Sequence, residues 1–566
     1  MSEKTQFKIR ATINSPVECM KLVKPKVLAQ LMKCETYINA GFFFDGTNNN
    51  AKKDAAKLGH SNVSRLYETY KDDYRRGYFR TYVPGVGTSF PEISEFGESL
   101  FGGGFGIGCE ARVIYAMLSF FNCFNRLAFN EELYFSSEQV RVLCSVGNRS
   151  RAKHADAVIL IKLGLDSGLL MPDFFGTGQR DEFFLNHSRI LSSKLSEKPE
   201  CKIKECFIDV FGFSRGAAEA RVFCSWLNRL LVDGKFAGIP IRFRFVGLMD
   251  TVASSGFWSS VDAGITNTPG GHSGWAGVEY LRLPSNLENC IHMVAMHELR
   301  KNFPLDEAGV DGVLPPNTYE IAYPGSHSDV GGGYEPGELG ISVGANSKDS
   351  DRLKLSQIPL NHMLECAIAA GTPLQKVPIA TAEQFDPFAV APAVLTAYKN
   401  FLAESGTNAR PLREWLQPYL NWRWQNRLTY ANLLQVKLAS STDRGKLVKF
   451  NEILIKDADL IDRMSGQGKA QRALNAAFSI YSRADEIAMA ALDDEAKHVL
   501  SEAKRAQKVA PAIDSFFDHF VHDSLAGFNS AMLESTGYWR YRKGFVGGEL
   551  GRIVQQDAPP DETKTA

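Results

Sequence analysis

The chain has 566 residues, 44% of them hydrophobic, with 64 basic side chains balancing 64 acidic ones. That length exceeds a single small core, so two domains, or one large domain with insertions, are expected. Zero net charge excludes a field that would draw the chain to nucleic acid. Ten cysteines scattered without Cys-x-x-Cys pairing exclude a disulfide framework and suit reduced thiols in a cytoplasm.

Residues 1–35 carry no strong pattern and read as an irregular lead-in; the first six lack the apolar run of a secretory signal, so export would need another route. Residues 37–44 form a strand pattern that runs into Asp45-Gly46-Thr47-Asn48-Asn49-Asn50, a loop of turn formers. Residues 61–70 look helical, and residues 79–83 look like a strand closed by Pro84-Gly85. A glycine-rich loop at 102–108 precedes an apolar helix at 109–124 that is too short to cross a bilayer. No Gly-Lys-Ser/Thr follows that loop, so a wall of a substrate cleft fits it better than a phosphate cradle. Residues 127–200 are polar and read as an irregular insertion.

Residues 206–211 are an apolar run of β-branched and aromatic residues, the pattern of a strand buried on both faces. Ser214 follows between Gly212 and Gly216, and Ala218, Val222, Trp226, Leu227, Leu230 and Leu231 then recur at helical spacing until Gly234. Strand, Gly-x-Ser-x-Gly and helix in that order is a nucleophile elbow. Such a corner holds the serine in a strained conformation and points a helix N-terminus, with its free N–H groups, at a developing oxyanion. The bland alternative is a tight structural turn.

Further strand patterns lie at 241–249, ending in Asp250-Thr251-Val252-Ala253-Ser254, and at 290–296. Another at 319–323 runs into a glycine-rich loop holding His327, Asp329 and residues 331–333. Strands alternating with helices imply a mainly parallel sheet with chemistry at the carboxyl ends of the strands. From about residue 345 to 520 the pattern is helical. Within it, Trp415, Tyr419, Trp422 and Trp424 lie among Arg413, Arg423 and Arg427. Those residue types suit a bilayer interface, but a helix packing its aromatics on the main domain is the favoured reading. The tail from residue 558 has the composition of a disordered segment.

A serine nucleophile needs a base and a carboxylate to orient it, in chain order Ser, acid, His for an α/β-hydrolase. His327 fits the base: it lies well downstream, just past a strand, in a loop free to bend. His522, beside Asp523 and Ser524, is its competitor; His292 and His297 read as packed core residues. The acid stays open between Asp250, Asp262 and Glu298, while Asp329 reads as a tie within the glycine loop.

The blocks Phe44-Asp45-Gly46-Thr47-Asn48-Asn49, residues 212–221, residues 250–254 and residues 327–334 together resemble a bacterial α/β-hydrolase family with recurring F-D-G-T-x-N, G-F-S-R-G-A, D-T-V-x-S and H-x-D-V-G-G-G-Y blocks. Where family members carry an Asp-Glu pair, this chain reads Met296-His297-Glu298. The helical C-terminal half and His522-Asp523-Ser524 are similar to antibacterial phospholipase effectors of type VI secretion. The resemblance implies a serine phospholipase that cleaves acyl chains from glycerophospholipids, with Ser214 as nucleophile and His327 as base. On spacing it implies Asp262 rather than Asp250 as the acid. The oxyanion donors would be the N–H of Arg215 and one from Gly46 or Thr47. It further implies a phospholipid membrane substrate, a secretion spike partner, a cognate immunity protein and action in a rival's periplasm.

The expected organisation is an α/β-hydrolase core at 36–345 with its insertion at about 127–200. A helical lid or membrane-association region follows at 346–557, and then a tail at 558–566. No cofactor or metal is expected, since no Cys/His cluster has ligand spacing. The rivals are a soluble serine esterase and a non-enzymatic binding protein on the same scaffold.

Overall fold

The computed structural model describes residues 8–23, 35–96, 105–145, 156–165, 179–197, 201–253, 277–300, 303–309, 313–376, 385–464, 495–527, 538–542, 544–545 and 553–554. Its strands are β1 (Arg10–Ala11), β2 (Glu35–Phe44), β3 (Tyr78–Val83), β4 (Lys202–Phe213), β5 (Lys235–Phe236), β6 (Ile239–Met249), β7 (Cys290–Ala295), β8 (Leu305–Asp306), β9 (Thr318–Tyr323), β10 (Gly544–Phe545) and β11 (Ile553–Val554). The main sheet runs β1-β9-β7-β6-β4-β2-β3, and β5 adds an antiparallel hairpin to β6. Every other pairing in it is parallel. A small second sheet sets β10 parallel to β8 and antiparallel to β11.

The central strands are apolar because helices cover both faces, and alternate residues serve opposite layers. Phe42, Phe44, Ile208, Val210 and Leu248 join one buried cluster with the helices Phe105–Ala128 and Arg215–Arg229. Phe43, Phe211, Phe213 and Phe245 join the other, which also takes in Trp415, Trp422, Phe516, Phe517 and Trp539. The C-terminal helices therefore share a core with the sheet.

Two stretches differ from the sequence reading, and a third follows its packed-helix alternative. The N-terminal lead-in contributes β1, laid parallel on β9, with Ile9 O accepting a 2.9 Å bond from Trp415 Nε1. The span 127–200 contains the helices Ser137–Ser145, Asp156–Lys162 and Gln179–Glu197. The apolar faces of the first and third, through Val140, Leu143, Phe183, Phe184 and Leu191, are buried in the same cluster as Phe121 and Phe124. Each of those two hides only a narrow stripe, so its average composition stays polar. In the helix Leu412–Asn426, Trp415 and Trp422 are fully buried, and Trp422 Nε1 donates to Asp514 Oδ1 at 2.8 Å. Those two indoles pack inward, not toward a bilayer. Among the described residues no helix is long and apolar enough to cross a membrane.

Candidate active site

Ser214 stands where β4 ends and the helix Arg215–Arg229 begins, with φ 59° and ψ −124°. A non-glycine residue with that backbone stores strain, held here by the bonds around it. Ser214 N donates to Met249 O at 2.9 Å, and Ser214 O accepts from Val252 N at 3.1 Å. The corner is too tight for a side chain on either flank. A Cβ on Gly212 would lie 2.6 Å from Ala217 Cα, and one on Gly216 would lie 2.3 Å from Phe44 O.

The clash at Gly216 also shows how closely the end of β2 approaches the elbow. Asp45 and the loop after it sit against the first turn of the serine's helix. Gly46 N already donates to Asp45 Oδ1 at 2.8 Å, and Tyr82 Oη donates to Asp45 Oδ2 at 2.5 Å. Burial raises the Asp45 carboxyl to about 6, against the pull of those hydrogen bonds. Of the two candidate donors in this loop, Gly46 is engaged within it, and Thr47 remains. The glycine-rich residues 102–104 lie outside the described residues, and 105–108 begin the apolar helix.

His327 opens the short helix His327–Gly331, capped by reciprocal bonds between Ser326 and Asp329. Its Nδ1 lies 2.5 Å from Asp250 Oδ2. Its ring packs 4.6 Å from that of Phe213, the neighbour of Ser214, and 5.0 Å from that of Phe303. Asp250 caps β6 with φ 46° and is wholly buried. Its Oδ1 accepts from Ala295 N at 2.9 Å and from Arg542 Nη1 at 2.7 Å, while Arg542 Nη2 donates to Oδ2 at 2.8 Å. Burial alone would raise the Asp250 carboxyl; the Arg542 charge and the His327 bond outweigh it and hold the group well below the usual range. Burial pushes the His327 imidazole down, and Asp250 pulls it part-way back.

The other candidates fall elsewhere. Glu298 takes the His327 backbone rather than its ring: Oε2 accepts from His327 N at 3.1 Å, and Oε1 accepts from Ser524 Oγ at 2.9 Å. Burial would raise Glu298, but Arg300, bonded to it, brings it down to about 2. Asp262, which spacing favoured, lies outside the described residues; the Nδ1 position that an orienting acid would take is filled by Asp250. His522 Nδ1 lies 2.6 Å from Asp329 Oδ1, its ring stacked on Tyr334 at 3.7 Å. His292 bonds to Glu320 at 2.6 Å, and His297 Nδ1 accepts from Gly325 N at 2.9 Å. Sequence reasoning missed Arg542, which carries no motif and follows no periodic pattern.

Residues 42–135 and 231–366 match the family model described as the T6SS phospholipase effector Tle1-like catalytic domain. These segments carry Asp45, Asp250 and His327, and pass over Ser214. The chain is similar to a type VI phospholipase effector domain. A crystal structure of an uncharacterized protein from Pseudomonas aeruginosa is 25% identical, covers 90% of this chain and 79% of that one, and superposes with a TM-score of 0.63. A structure of the Tle1 effector bound to the VgrG spike of the type 6 secretion system is 17% identical over 68% of this chain and 85% of that one, with a TM-score of 0.33, too loose to carry an argument. No curated protein matches the chain.

Proposed function

We propose that this chain is a serine phospholipase of α/β-hydrolase type, an acyl-ester hydrolase of the A1 or A2 kind acting as a type VI antibacterial effector. The observation that carries it is the buried Asp250–His327 pair, 2.5 Å long and packed on the residue before a strained serine. Ser214 Oγ attacks the acyl carbonyl while His327 takes its proton, and Asp250 holds the proton on Nδ1 and stabilises the imidazolium. The carbonyl carbon–oxygen double bond opens to an oxyanion that accepts from the N–H groups of Arg215 and Thr47. Each such donor is worth roughly 3–4 kcal/mol. His327 then returns the proton to the leaving lysophospholipid oxygen, and water, deprotonated by the same imidazole, cleaves the acyl-enzyme to free the fatty acid. The match to the effector-domain model supports the lipid substrate and the secretion context. A spike-type delivery partner, a cognate immunity protein and action in the target's periplasm complete this reading.

Ser214→Ala is expected to lower acyl release from phosphatidylethanolamine/phosphatidylglycerol vesicles by about 10⁴-fold or more, with folding intact. Retained activity would remove the elbow from the mechanism. With a phospholipid bearing different chains at its two positions, the product identifies which ester is cut. Burial of Trp415 and Trp422 favours a second reading, a soluble serine esterase without a membrane role. That enzyme would show no rise in rate on vesicles over monomeric short-chain ester.

A further inference from the structure

The carboxylate that orients His327 is itself gripped by a residue 292 positions away in the chain. We propose that Arg542 is a positioning residue, fixing Asp250 on the His327 ring and setting the charge that ring sees, so that residues 538–542 complete the site. Three of its guanidinium nitrogens are committed. Nη1 and Nη2 donate to the two Asp250 oxygens at 2.7 and 2.8 Å, and Nε donates to Phe303 O at 2.6 Å. Phe303 in turn packs edge-on against His327 at 5.0 Å. A forked, planar pairing of this kind fixes the plane of the carboxylate, which a single hydrogen bond does not. Arg542 is 2% exposed and Asp250 wholly buried, so neither can exchange its partner for water.

The segment that delivers Arg542 is anchored on both sides of it. Tyr538 Oη donates to Asp523 Oδ2 at 2.7 Å, Trp539 Nε1 to Leu454 O at 3.0 Å, and Tyr541 Oη to Gln417 Oε1 at 2.6 Å. Gly544 then pairs with Leu305 in the small sheet. The anchors thus join the helical half of the chain to the strand that follows Phe303.

The charged groups facing His327 come from three directions. Asp250 stands at the end of β6, Glu298 and Arg300 lie past β7, and Arg542 reaches in behind Asp250. A bare Asp250 would stabilise the imidazolium with its full charge; the guanidinium on the same carboxylate cancels part of that field. Removing Arg542 should make His327 more basic and leave the carboxylate held by Ala295 N and His327 without the fork that fixes its plane.

The inference rests on the serine-hydrolase reading for its kinetic arm only. In full-length protein labelled with ¹³C-histidine, the His327 resonance, assigned with His327→Gln, should titrate about one unit higher in Arg542→Met than in the parent. An unchanged titration overturns the proposal, whatever Ser214 does. In turnover, Arg542→Met should lower kcat by roughly 10–100-fold with KM within about twofold, the pattern of lost alignment rather than lost binding. Arg542→Lys, which keeps the charge without the fork, should titrate near the parent and recover part of kcat. If Arg542→Met does not fold, Arg542→Lys decides: a kcat about tenfold down at unchanged KM supports the proposal, and a parental kcat contradicts it. Should Ser214→Ala stay active, the serine reading falls and the titration still judges Arg542.

Discussion

Two histidine–aspartate pairs meet at one short helix, alike in length and burial and different in what surrounds them. His327–Asp250 measures 2.5 Å and His522–Asp329 measures 2.6 Å, and all four side chains are buried. Asp250 sits at a strand end beside the elbow, and its remaining acceptor capacity goes to Arg542 and Ala295 N. Asp329 instead spends its oxygens on Ser326 N and Oγ and on His522 N, as the cap of the His327 helix. Tyr334 covers the His522 ring, whose Nε2 is buried without a partner. A close imidazole–carboxylate contact therefore does not by itself nominate a catalytic dyad. What separates the two pairs is where each acid stands: the first pair packs on Phe213, next to the strained Ser214, and the second ties down the loop that carries His327.

The sharpest way to break this contrast is to truncate each imidazole. His327→Ala should lower turnover by about 10⁴-fold and leave the thermal midpoint close to the parent. His522→Ala should keep turnover within about tenfold while costing roughly 2–4 kcal/mol in urea denaturation, because Asp329 loses a buried partner. Reversed outcomes in kinetics and melts would exchange the roles of the two pairs.

A smaller effect separates the scaffold around His327 from the dyad itself. Glu298 is held at about 2 against an ordinary 4.5. A depressed carboxylate contributes stability that is complete above the unfolded value and is lost as pH falls toward the folded one. Stability should therefore fall between about pH 4.5 and 2, and Glu298→Gln should flatten that stretch of the profile. A parallel decline in both proteins would show that Glu298 is not part of the acid response.

Much of this site is written locally in the chain. The apolar run into Gly212-Phe213-Ser214-Arg215-Gly216 carries its own strand, corner and helix, so the elbow and the parallel core are visible without coordinates. His327 stood out because it lies in a glycine-rich loop just past a strand, and the structure places it there beside Asp250. Which acidic side chain meets the His327 ring could not be found in this way, since the contact of Asp250 with Nδ1 joins residues 77 positions apart. The helices within 127–200 are hidden by their narrow apolar stripes. Arg542 and Ser524 meet Asp250 and Glu298 across 292 and 226 residues, and contacts of that span leave no periodic trace. Trp415 and Trp422 pack inward as the packed-helix reading expected, although a lipid-facing indole asks for the same residue type.

The most direct measurement is covalent capture of the nucleophile. A fluorophosphonate should label the parent protein at one site, mapped by peptide mass spectrometry to Ser214, and labelling should collapse in His327→Ala but persist in His522→Ala. A label on another serine, or equal labelling in all three proteins, would contradict the account.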